Sequence, residues 1–122
     1  MTHKDIAVHF LHLCSSGEVL TAFAQYAHDA IIHHNPFFHK DISVLQQAMI
    51  DNAASFPLKV FSVIHSLEDH NYVAVHSKVK LAPETTGHIL VHIFRFEQDK
   101  IIEIWDISQP IPENIVNEHG II

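Results

Sequence analysis

The chain has 122 residues, 48% of them hydrophobic, with 7 basic and 14 acidic side chains and a formal net charge of −7 when histidine is neutral. That length and apolar content suit one domain, residues 1–122, with one moderate core, and exclude a disordered chain. One arginine and no basic stripe offer nothing to a phosphate backbone, and no apolar run approaches the roughly eighteen residues of a membrane span, so neither nucleic acid nor membrane is expected as a partner.

The N-terminal stretch MTHKDIAVHFLHLCSSG has its apolar residues broken by histidines and lacks the continuous core of a signal peptide. Cys14 is the only cysteine and can form no internal disulfide, which fits a reducing compartment, so a cytoplasmic location is expected. Asp5 can cap a helix over Ile6–Cys14, with Ile6, Phe10 and Leu13 at helical spacing and Ser15-Ser16-Gly17 as the stop. A second helix is predicted from about Glu18 to Asp29, ending near Ala30. Ile31 and Ile32 are β-branched and Pro36 disfavours helix at Asn35, so His33 and His34 fall on a short extended piece. Asp41 or Ser43 opens a third helix, which Phe56-Pro57 closes.

The hydrophobic period then changes from 3.6 to 2. Four strands are predicted, at Leu58–Leu67, Tyr72–Ala82, His88–Phe96 and Ile101–Gln109, joined by turns short enough to make neighbours antiparallel. Three helices followed by a meander is an α+β domain. Residues 110–122 carry two prolines and read as a tail of the same domain. The last two strands are apolar on both faces, and three helices can cover one side only. A homodimer through the outer face of the sheet is therefore expected.

Thirteen histidines are scattered along the chain and form neither a tag nor a metal-storage tract. The most informative polar residue is Asp106, set between Trp105 and Ile107 in a strand that otherwise reads as buried. Near a strand end it can simply bond to backbone or face water. Inside a pocket it is a carboxylate available as general acid or base. Reflection of the last hairpin through Gln98-Asp99 places His92 opposite residue 105 or 106, and a slip of one residue would send the two side chains to opposite faces. His76 lies mid-strand on the less apolar face, where a half-exposed histidine is the plain reading. No HxH or HExxH motif is present, so no metal site is expected, and three glycines leave no material for a phosphate-binding loop.

Taken in order, His34-Asn35-Pro36, Val73-Ala74-Val75-His76-Ser77, Val91-His92-Ile93-Phe94-Arg95-Phe96 and Ile104-Trp105-Asp106-Ile107-Ser108-Gln109-Pro110 resemble the SnoaL-like proteins, polyketide cyclase relatives in the nuclear transport factor 2-like superfamily. The resemblance implies a cystatin-like cone, three N-terminal helices packed on a curved antiparallel sheet, with a pocket open at one end and a dimer on the sheet's outer face. The family's cyclases close a ring by intramolecular aldol condensation without metal or cofactor. By that resemblance Asp106 is the acid/base residue and His92 its companion. His34 faces inward and His33 outward, His34 and His76 line the mouth or wall, and Phe37 and Phe38 form an apolar lip over an apolar small-molecule ligand. His33 stands where many members have glutamine, and His92 where many have aspartate. Two other functions remain open on the residues alone: a non-catalytic carrier of a small hydrophobic ligand, and an interaction scaffold.

Overall fold

The structure, a computed structural model, describes all residues from Met1 to Ile122. Helix α1 (His3–Ser15) begins earlier than Asp5 suggests. Thr2 is its N-cap and Asp5 the third helical residue: the Thr2 hydroxyl accepts from the Asp5 N–H (3.2 Å), and the Asp5 carboxylate accepts from the Thr2 N–H (2.8 Å). Two orphan donors are satisfied reciprocally, so the signal read in Asp5 belongs to a capping box. Gly17, at φ +92°, ends the turn that follows. Ile6, Ala7, Phe10, Leu11 and Cys14 form the helix's buried stripe.

Helix α2 (Val19–Tyr26) is shorter than predicted, and Ala27–His34 is a full strand, β1. The helical pattern of Ala27–Ala30 yields to pairing with a distant strand, a case of tertiary context overriding propensity. Helix α3 (Ile42–Ser55) has Asp41 as N-cap, its carboxylate accepting from the Ser43 N–H (3.0 Å), and ends at Phe56, before Pro57.

Strands β2 (Val60–Asp69), β3 (Tyr72–Lys80), β4 (His88–Glu97) and β5 (Lys100–Pro110) form the expected antiparallel meander. The sheet has a fifth member. Strand β1 runs parallel to β5, giving the order β1-β5-β4-β3-β2 and a mixed sheet.

The β4–β5 hairpin turns on two residues with positive φ, Gln98 (49°) and Asp99 (65°), as a type I′ turn requires. Left uninterrupted, the register this turn starts, Glu97 opposite Lys100 and Phe96 opposite Ile101, would bring Trp105 opposite His92. Ile102 has no partner across the ladder, and this bulge shifts the register so that Arg95 meets Glu103 and His92 meets Asp106. It also lets Ile101 and Ile104, three residues apart, both enter the core.

The core lies between the inner face of the sheet and the helices. Val73, Val75, Phe94, Phe96, Ile101 and Ile104 meet Phe10, Leu11, Val19, Ala22 and Phe23. The Phe10 ring sits edge-on to Phe23 and Phe94, with centroids at 5.1 and 5.9 Å. In the tail Ile111 is buried and its N–H donates to the Gly87 carbonyl (3.0 Å), whereas the terminal Ile122 is exposed. No helix is long and apolar enough to cross a membrane.

Candidate functional site

A cavity of about 790 Å³ opens between α1, α3, the inner face of the sheet and the loop after β1. Its walls are mostly apolar, with Phe10 and Leu11 from α1, Leu45, Ala48 and Met49 from α3, and Phe61, Val79, Leu90 and Ile104 from the sheet. Strand alternation at Ile104, Asp106 and Ser108 aims Asp106 into this space. The Asp106 side chain is 26% exposed, that of His92 only 12%, and His92 Nε2 lies 3.3 Å from Asp106 Oδ1.

The second carboxylate oxygen is held from the other side. Asn35 Nδ2 donates to Asp106 Oδ2 at 2.7 Å, and Asn35 Oδ1 accepts from the Phe37 N–H at 3.0 Å. Asn35 itself is placed by His33, whose Nδ1 accepts the Asn35 N–H (3.1 Å) while its Nε2–H donates to the His39 carbonyl (2.7 Å). Those two bonds require the neutral ring with the proton on Nε2. His33 thus fastens the loop at the cavity mouth, and through Asn35 it sets the orientation of Asp106.

The expected facing of the adjacent histidines is reversed. His33 is buried. His34 points to the outer face of the sheet, where its ring stacks on Trp105 (5.0 Å between centroids) and its Nε2–H donates to Glu103 Oε2 (2.6 Å), so that it touches only the cavity rim. Parity along β1 decides this, because buried Ile31 commits His33 to the same face. The hydrogen bond from His34, and after it the one from Arg95, holds the Glu103 carboxyl below the usual carboxylate range.

His76 is also corrected. Val73, Val75 and Ser77 are buried on the inner face, so His76 lies on the outer one, stacked on His65 with Nδ1 atoms 3.1 Å apart, and does not line the cavity. Phe37 and Phe38 stand at the mouth, Phe37 81% exposed. Asn35 has no site role in the sequence analysis, and neither has Lys59, which lines the cavity together with Asn52. A lysine at the foot of a strand leaves no periodic signal. No three His, Cys, Asp or Glu side chains converge in a way that could hold a metal ion.

Burial lowers the pKa of His92, with the Asp106 charge opposing the shift. As a neutral ring its Nε2–H points to Asp106, and its buried Nδ1 has no partner. The unfolded chain, with an ordinary imidazole near 6.5, takes up the proton first as pH falls. Stability from this residue is complete above that value and declines below it, by at most about 1.4 kcal/mol per pH unit for one proton. Urea midpoints measured from pH 7.5 to 5.0 are expected to fall less steeply in His92→Gln than in the wild type. Parallel slopes would mean that His92 carries no such penalty.

Solved structures of low sequence identity share this fold. AclR from Streptomyces galilaeus superposes with a TM-score of 0.74 at 15% identity, over 88% of this chain and 88% of that one. A SnoaL-like polyketide cyclase from Agrobacterium tumefaciens gives 0.69 at 17% identity, over 89% and 92%. An NTF2-like protein of unknown function from Cytophaga hutchinsonii gives 0.71 at 13%, over 90% and 92%. No protein-family model matches the sequence, and no curated protein does. The chain has the α+β fold of the SnoaL-like and nuclear transport factor 2-like proteins, and at these identities the likeness speaks for fold alone.

Proposed function

We propose that the protein is a cofactor-independent acid/base enzyme of the SnoaL-like cyclase or isomerase type, acting on an apolar small molecule with Asp106 as the proton-transferring group. The observation that carries this is a carboxylate gripped on both oxygens, by Asn35 and beside His92, at the wall of a large apolar cavity. A carboxylate fixed in this way has its remaining lone pairs available to a ligand. It takes a proton from the carbon next to a carbonyl. The carbanion then adds to a second carbonyl in the same molecule, and protonated Asp106 returns the proton to the new alkoxide. His92 positions the carboxylate, and Phe37 and Phe38 close over the flat body of the ligand. The apolar walls strengthen each electrostatic contact by excluding water.

The first half-reaction can be tested without the natural substrate. 2-Tetralone, a flat apolar ketone, should incorporate deuterium from D2O at its activated carbon faster with the protein than in buffer. Binding without acceleration would instead make the cavity a carrier site.

We further infer a homodimer through the outer face of the sheet, where Ile32, Trp105, Ile107 and the β4 residues Val91 and Ile93 form an apolar surface that no helix covers. Sedimentation velocity at micromolar concentration should give a dimer, and a monomer there would refute the inference.

A further inference from the structure

Lys59 immediately precedes β2 and lines the same cavity from the flank opposite Asp106. Strands β4 and β3 lie between them, three inter-strand steps or about 14 Å across the sheet, and Lys59 is also offset along the strands, since Asp106 is level with Ser66 of β2. The Lys59 Nζ makes one polar contact, donating to Asn52 Oδ1 at 2.6 Å, and forms no ion pair. Its other neighbour is the Cys14 thiol, which burial pushes up to about 12 and so keeps neutral. Burial likewise presses the lysine below its ordinary value, with Cys14 opposing the shift only weakly. A half-buried ammonium whose only partner is a neutral amide is under-compensated, and an anion brought beside it recovers part of the lost solvation.

We propose that Lys59 is the receptor for a carboxylate on the ligand, so that the cavity takes an amphipathic organic acid with its anionic end at Lys59 and its apolar body reaching toward Asp106. The chain's net charge of −7 repels anions in general, which makes a single cation in the cavity a selective contact. Asp106 is the only carboxylate in the wall, and it disfavours the reversed orientation. Asn52 shares the clamp: with Oδ1 engaged by Lys59, its Nδ2 hydrogens remain as donors to the same anion. The binding preference stands on Lys59 and the cavity. Only the placing of the reacting carbon rests on the acid/base role of Asp106.

The test compares two fluorescent probes of matched shape, 1-pyrenebutyrate and the neutral 1-pyrenebutanol, titrated into the full chain. The wild type is expected to bind the acid about tenfold more tightly or better, as charge-assisted hydrogen bonding in a sheltered site gives. Lys59→Met keeps the apolar stem and should lose that preference while still binding the alcohol, which also reports an intact cavity. Lys59→Arg should retain it. Equal affinity of the wild type for both probes, a preference that survives in Lys59→Met, or failure to bind either probe would overturn the proposal. The readout is binding alone, so an inactive Asp106 would leave the result unchanged.

Discussion

Asp106→Asn is expected to lower the protein-catalysed exchange of 2-tetralone protons by about 10² to 10⁴, the usual contribution of a positioned acid/base group. The substitution preserves shape, and the Asn35 amide can still donate to the new amide oxygen where it now donates to Oδ2. What is removed is the capacity to take a proton from carbon. Exchange followed by NMR, with the thermal midpoint measured alongside, separates this from misfolding. An exchange rate equal to that of the wild type would take Asp106 out of the mechanism.

Phe94→Ala is expected to cost about 3–5 kcal/mol, the range for emptying a fully buried aromatic site. Phe94 is 0% exposed and sits in the middle of β4, against Phe10 on one side and the His92 ring, 6.1 Å away, on the other. Its removal opens a void directly beneath the residue that flanks Asp106, so the loss reaches the site as well as the core. Phe37→Ala offers the contrast. That ring stands in solvent at the mouth, and its loss should change stability by no more than about 0.5 kcal/mol. Urea denaturation of the two variants distinguishes them, and similar midpoints would show that Phe94 is not the keystone its burial implies.

Much of the site is legible in the sequence. Asp106 stood out because a carboxylate between Trp105 and Ile107 is costly in a buried strand, and reflection through Gln98-Asp99 brought His92 to within one residue of it. The motif resemblance pointed to the fold that the structure has. Alternation says only that His33 and His34 face opposite ways; the resemblance implies His34 inward, whereas the burial of Ile31, two residues before His33, puts His33 on the inner face. For His76 the plain reading of a half-exposed histidine holds, and only the wall position implied by the resemblance fails, because alternation with Val75 and Ser77 places it outside.

The amino-acid sequence by itself determined the three helices, the four-strand meander and the identity of the polar residues worth examining, since these depend on local periodicity, caps and turns. Tertiary structure alone decided that Ala27–His34 is a fifth strand, because its partner β5 is some seventy residues away. It alone decided that Asp106, and not Trp105, faces His92. The two-residue turn sets one register and the Ile102 bulge sets another, and the balance rests on packing both Ile101 and Ile104 into one core. The contacts from Asn35 to Asp106 and from Lys59 to Asn52 were hidden for the same reason: side-chain meetings across a fold follow from how its layers close, which no local pattern in the chain encodes.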